Sequence, residues 1–272
     1  MNGNNSIFLS IPQLEGRREA ADELLVRITQ TSFSFAIFGG GSEDLKALFD
    51  LPHCSNGFAA AVSALADDPV FALPFAHAYV AVQTDNLIFV PKALEAEDPA
   101  VYARYFNFTD GTAVHQRDDQ EFNTVFTIPE KAEHFLTHFD QATLLPLATP
   151  MLSMTRHFQG DALVLDFNPQ QVSFLLKKDG LPVFFQTYEI ENSAELNYYL
   201  LLLIDSLTLN RNTTVYLSGI IHEDDTAHSC VSKYFDQVYF FLPAQPESDI
   251  ALLNDLPLHY YSTLLAQLSC GL

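Results

Sequence analysis

Between Ala162 and Ile190 the chain sets three strand-like runs end to end, Ala162–Phe167, Val172–Lys178 and Leu181–Ile190. This stretch constrains the fold more than any other. Asn168-Pro169 and Asp179-Gly180 separate the runs, and both are pairs that favour tight turns over continued strand. A helix from Ser193 to Leu207 follows, with Ser193 as the expected cap and Glu195 in its first turn. Tyr198, Leu201, Leu202 and Asp205 share one of its faces. The adjacent face of Leu200, Leu203, Ile204 and Leu207 is apolar too, so the helix is expected to be largely buried. A strand at Thr214–Leu217 ends in Ser218-Gly219. A helix at Thr226–Phe235, a strand at Val238–Leu242 and a closing helix around Leu258–Leu268 complete the half.

The first half repeats this order more loosely. Leu24–Ile28 and Phe33–Phe38 read as paired strands joined through Gln30-Thr31-Ser32. Gly39-Gly40-Gly41 ends the second, and Ser42, with Glu43 and Asp44 behind it, is placed to cap a helix. A short helix at Phe58–Ala66, strands at Ala76–Thr84 and Leu87–Val90, a helix near Ala100–Phe106, a strand at Phe122–Ile128 and a helix at Glu130–Phe139 follow. Pro146 and Pro150 mark the crossing to the second half. The order of three strands, helix, strand, helix, strand is that of a ribonuclease H-like unit. Two such units in tandem predict an α/β protein of the actin-like ATPase architecture, a duplicated ribonuclease H-like fold with two lobes of mixed sheet. The expected division is an N-terminal arm over 1–22, loosely held through Glu19, a first lobe over 23–150 and a second over 151–272.

At 272 residues the chain is long enough for two cores. It carries 34 acidic residues against 13 basic ones, a formal charge of −21. Up to Leu145 there are 20 acidic and 8 basic residues, and beyond it 14 and 5, so neither half offers the basic face that a phosphate backbone requires. Nucleic acid is excluded as the expected partner, and acidic membrane surfaces repel such a chain. The longest apolar run, Tyr198–Ile204, falls well short of a membrane span, and Ile7–Ile11 is too short for a signal peptide. Cys54, Cys230 and Cys270 are odd in number and far apart, which suits reduced thiols. A cytoplasmic location is expected.

Five segments carry a family resemblance. They are Phe33-Ser34-Phe35-Ala36-Ile37, Phe89-Val90-Pro91-Lys92-Ala93-Leu94, Tyr105-Phe106-Asn107, Tyr198-Tyr199-Leu200-Leu201 and Val215-Tyr216-Leu217-Ser218-Gly219. In this order they resemble a bacterial family known only as a domain of unknown function, represented structurally by an actin-like ATPase fold. The resemblance runs from about Leu24 to Phe241. It implies a fold and no activity.

Nucleotide chemistry on such a scaffold needs a hairpin turn in each lobe to cradle phosphates, usually Asp-x-Gly, because glycine lets backbone N–H groups approach the anion. The first turn here reads Thr29-Gln30-Thr31-Ser32, with neither residue. The second reads Asp166-Phe167-Asn168-Pro169 and keeps only the aspartate. The adenosine stretch, which usually has paired glycines, retains one in Leu217-Ser218-Gly219-Ile220. Asp166, Asn168, Ser218 and Gly219 are therefore the candidate nucleotide residues, although Asp166 can equally shape its turn and Gly219 end its strand. A nuclease site would need further carboxylates beside Asp166 and Glu195, and Ser218 stands where a third would help. His134 and His138 have metal-ligand spacing but lack the intervening glutamate of a zinc protease, and His222-Glu223-Asp224-Asp225 reads as a solvated acidic loop. Gly39–Ser42 lacks the lysine of a phosphate loop. No metal is expected.

The scaffold beside depleted phosphate turns predicts a non-catalytic or weakly nucleotide-binding interaction module with a protein partner. The alternative is an ATP-dependent phosphotransferase or ATPase with divergent motifs. There Mg·ATP is the cofactor, Asp166 the metal-associated carboxylate, Asn168 a phosphate donor, and Ser218 and Gly219 the adenosine contacts.

Overall fold

A computed structural model describes residues 6–40, 44–106, 113–242 and 250–270. The chain divides into two compact units, one of residues 1–150 with 245–255 and 264–272, the other of residues 151–244 with 256–263.

The first unit opens with β1 (Ile7–Ser10) and a single turn, α1 (Leu14–Arg17). There follow β2 (Glu23–Ile28), β3 (Phe33–Phe38), β4 (Leu45–Leu51), α2 (Gly57–Asp67), β5 (His77–Val82), β6 (Leu87–Pro91), β7 (Val114–Asp118), β8 (Phe122–Thr127), α3 (Glu130–Leu136) and β9 (Ala142–Pro146). The main sheet runs β1-β4-β3-β2-β5-β9, and a second, three-stranded sheet runs β6-β8-β7. β2, β3 and β4 are joined antiparallel, and β2–β5 and β5–β9 are parallel. β2 and β3 are buried on both faces, which explains their largely apolar sequences. Leu24, Val26 and Ile28 of β2 and Phe33, Phe35 and Ile37 of β3 pack with Ala61 of α2 and Ala132 and Phe135 of α3. Phe35 stacks on Phe49 at 5.3 Å and meets the edge of Phe71 at 5.1 Å.

Three expectations for this unit are corrected. No helix follows the glycine run: Leu45–Leu51 is a strand paired with β3, and its burial alternates with near-period two. The cap assigned to Ser42 and Glu43 lies outside the described residues. From Ile7 onward the opening segment is not loose, because β1 pairs with β4 and Arg18 and Asp22 are buried as an ion pair. Pro99–Tyr105 forms a 3-10 helix rather than an α-helix, started by Asp98 accepting a bond from the N–H of Ala100.

The second unit takes in α4 (Ala148–Met154) from Met151 onward and then β10 (Ala162–Asn168), β11 (Gln171–Lys178), β12 (Leu181–Glu189), α5 (Ser193–Ser206), β13 (Thr214–Gly219), α6 (Thr226–Ser232) and β14 (Gln237–Phe240). Its sheet runs β12-β11-β10-β13-β14, antiparallel through the first three strands and parallel for β10–β13 and β13–β14. The order and sense match β4-β3-β2-β5-β9 of the first unit. Leu163, Leu165, Phe167, Phe174, Val215 and Leu217 turn to one face, under Leu196, Leu200 and Leu203 of α5 and Val231 of α6.

Two details of α5 differ from expectation. Its cap is Asn192, whose side chain accepts from the N–H groups of Ala194 and Glu195. Nor is it largely buried, since Tyr198, Leu201 and Leu202 are 59%, 46% and 41% exposed. One face is enough to seat the helix, and Tyr198, Leu201 and Leu202 stay exposed on the other.

Candidate functional site

Strand alternation decides which residues can meet at the end of the second sheet. With Leu165 and Phe167 in the core, Asp166 and Asn168 turn to the opposite face. Asp166 pairs in register with Ser218 on β13 and Ser173 on β11, and Asn168 with Gln171. Asp166, Gln171, Ser173 and Ser218 thus share one face, and all four are buried. Asn168 is half-buried at the strand end. Gly219 follows Ser218 at φ 80°, and a Cβ there would lie 2.0 Å from the carbonyl oxygen of Phe167. The parallel strands approach so closely at this point that only glycine fits.

The chain itself covers this end. The carbonyl of His259 accepts the N–H of Gly219 at 2.8 Å and the hydroxyl of Ser218 at 3.4 Å. The His259 ring donates from Nε2 to the carbonyl of Ile221 at 2.8 Å and stacks on Phe240 at 4.3 Å. Thr263, in α7 (Ser262–Leu265), donates its hydroxyl to Asp166 Oδ1 at 2.9 Å. Burial pushes the His259 imidazole below its usual pKa; the bond to Ile221 opposes this and nearby His222 adds to it. Among buried side-chain atoms, Gln171 Nε2 has no hydrogen-bond partner.

The matching turn of the first unit is closed more locally. Thr29 Oγ1 accepts the N–H groups of Thr31 at 3.2 Å and Ser32 at 3.0 Å and lies 2.7 Å from Ser32 Oγ. The Gln30 and Thr31 carbonyls accept the N–H groups of Gly57 and Cys54. A Cβ on Gly57, the first residue of α2, would lie 2.2 Å from the Thr29 carbonyl, so the helix start is pressed onto the turn.

The four sequence candidates therefore gather at one sheet end, where Asp166 Oδ1, the Ser218 hydroxyl and the Gly219 N–H are bonded to the protein itself. A nucleotide could not use the Gly219 N–H, the Asp166 oxygen held by Thr263, or the Thr31 and Ser32 N–H groups without displacing those partners. Sequence reading missed His259 and Thr263; the signal was the polar and aromatic run His259-Tyr260-Tyr261-Ser262-Thr263 inside a supposed closing helix.

The other candidates disperse. Glu195 lies on α5, over the opposite face of the sheet from Asp166, and its carboxylate accepts the N–H of Glu191 at 2.8 Å. His138 donates to the carbonyl of Phe135 at 3.0 Å, and its ring lies 5.7 Å from that of His134. His222 and Asp225 bond within their own turn. Among the described residues there is no group of three or more His, Cys, Asp or Glu side chains that could hold a metal. No helix among them is long and apolar enough to cross a membrane.

The family profile described as Protein of unknown function (DUF3822) matches residues 12–238. No curated protein matches the chain. Among solved structures, a Bacteroides thetaiotaomicron VPI-5482 protein with actin-like ATPase fold and unknown function is similar at 15% identity and TM-score 0.70, over 91% of this chain and 100% of that one. The PilM–PilN type IV pilus biogenesis complex matches at 14% identity and TM-score 0.64, over 93% and 99%. The cytoplasmic domain of EpsL, an inner membrane component of the type II secretion system of Vibrio cholerae, matches at 14% identity and TM-score 0.50, over 93% and 96%. Identities this low speak to fold alone. The fold is that of an actin-like ATPase, with two lobes of mixed β-sheet.

Proposed function

Because the chain belongs to the DUF3822 family and turns its candidate nucleotide residues onto its own backbone and side chains, we propose that it acts as an actin-like interaction module. It binds another protein rather than turning over nucleotide. One observation carries this reading: residues 259–263 hold the Gly219 N–H and the Asp166 carboxylate, the groups a nucleotide would need. The likeness to a PilM–PilN complex supports it, since that structure is itself an assembly of proteins on this scaffold.

The matching order of the two sheets supports a duplicated ribonuclease H-like unit, divided near residue 150. Cytoplasmic action belongs to the same reading. It is supported by Cys54, Cys230 and Cys270, none of which forms a disulfide among the described residues.

Thermal unfolding with and without millimolar Mg·ATP, with Mg·GTP and ADP as controls, tests the proposal. A ligand at a hundredfold excess over its dissociation constant adds about 2.7 kcal/mol, a shift of about 5 °C or more for a chain of this size. No shift is expected. An adenine-selective shift would overturn the proposal in favour of the phosphotransferase reading, which the shared location of Asp166, Asn168, Ser218 and Gly219 keeps in view. The decisive follow-up would then be Asp166→Ala, whose ATPase activity should be lost.

A further inference from the structure

We infer that the groove between α6 and β14 is the docking site for an extended segment of a partner protein, one that alternates apolar residues with Lys or Arg. The inference rests on the interaction-module reading and gives it a surface.

β14 is the last strand of its sheet, so its outer edge presents main-chain groups that no strand among the described residues pairs. Such an edge is a template for an added strand. Val238 and Phe240 turn inward, while Tyr239 turns out and is 52% exposed. β14 carries no lysine, arginine or proline to discourage pairing.

Beside this edge lies an open groove of about 540 Å³, whose lining includes His228 and Ser232 of α6, Phe235, Phe240 and Glu223. The His228 ring stacks on Phe240 at 5.6 Å, giving the groove an aromatic wall. A strand laid along β14 sets one half of its alternating side chains against the His228–Phe240 wall and the other half beside Tyr239, and both borders share the groove with Glu223.

Charge chooses the occupant. No lysine or arginine lines the groove. Asp236 is already paired with Arg211, at 2.5 and 3.2 Å, but Glu223 stands exposed beside Asp224 in a chain of net charge −21. A second copy would set this acidic turn against another molecule as acidic as itself. A basic partner removes that repulsion and gains steering.

The test uses the full chain and a fluorescein-labelled ten-residue peptide of alternating Val and Lys, with a Val-Glu peptide as its counterpart. Ser232→Trp fills the groove from an exposed position, and Glu223→Lys reverses its charge. Both lie at the surface, and circular dichroism confirms that each variant folds. The Val-Lys peptide should bind, weaken at least tenfold in each variant, and slow amide hydrogen exchange at Gln237–Phe240. Absence of binding, unchanged binding in both variants, or unslowed β14 amides would overturn the assignment. So would a dimer of the protein alone that Ser232→Trp dissolves, because the occupant would then be a second copy. Failure here with no Mg·ATP shift leaves the interaction-module reading standing with its surface elsewhere, whereas an ATP shift removes that reading itself.

Discussion

Thr263 donates a hydrogen bond to Asp166 at 2.9 Å across 97 residues of chain, and both side chains are buried. A carboxylate taken out of water needs such donors, and bonds to charged groups are worth about 1.5–3 kcal/mol. The contact therefore stabilises the second unit by occupying one oxygen of Asp166.

Thr263→Val, nearly isosteric, removes this donor without opening a cavity. The expected loss is about 1.5–3 kcal/mol, or a fall in Tm of about 3–10 °C. Urea unfolding of the variant beside the wild type measures it. An unchanged midpoint would mean that Thr263 contributes nothing to holding Asp166.

Gly219→Ala should be far more damaging. The new Cβ would sit 2.0 Å from the Phe167 carbonyl oxygen, at a φ of 80° that L-residues avoid. Strands β10 and β13 would have to part where Ile220 also bonds to Phe167. A loss above about 3 kcal/mol, seen as aggregation or a collapsed Tm, is expected. Gly160→Ala, with nothing within 4 Å of its Cβ, is the matched control and should be nearly neutral. Equal stability of the two variants would contradict the close approach at Gly219.

That contrast shows what was legible in the sequence. The second unit was readable because local signals agreed: Asp179-Gly180 closes one hairpin, Asn168-Pro169 another, and the runs they bound are long and mostly apolar. Leu45–Leu51 was misread because the glycine run and the acidic residues after it imitate a helix start. Its strand state comes instead from pairing with β3, which is a tertiary decision. The four candidate residues were found from strand ends and a lone glycine. Their partners were not, because 97 residues separate Thr263 from Asp166 and no periodicity links them.

In the first unit, Asp22 is fully buried and receives Lys46 Nζ at 2.8 Å, the Glu19 N–H at 2.9 Å and the Arg18 guanidinium. Burial alone would raise its pKa, but the bonds from Lys46, Glu19 and Arg18 outweigh this and hold it below the usual carboxylate value. The unfolded chain thus takes up the proton more readily. This contribution to stability is complete above about pH 4 and fades as pH falls through the lower folded pKa. Asp22→Asn should cost about 3–5 kcal/mol at pH 7, since it leaves buried Arg18 and partly buried Lys46 without their charge partner. The gap between variant and wild type should narrow by pH 3. Urea midpoints at the two pH values test this, and a constant gap would rule out the ionised carboxylate as the source.

His259 gives a second pH dependence with a different window. Burial holds its imidazole below the ordinary pKa of about 6.5, against the pull of the Ile221 carbonyl and with help from His222. The unfolded chain binds the proton first as pH falls through 6.5, so acid draws the equilibrium towards unfolding until the lower folded pKa is passed. Above pH 7 the ring is neutral in both states and its proton exerts no pull. His259→Gln retains a donor for Ile221 and removes the titration, although it loses the stack on Phe240. The variant should be less stable than the wild type at pH 8, and the difference should shrink on going to pH 5.5. Urea unfolding across that range, with exchange at the Gly219 amide as a local reporter, separates the two effects. Parallel stability curves for variant and wild type would show that His259 titrates alike in the folded and unfolded chain.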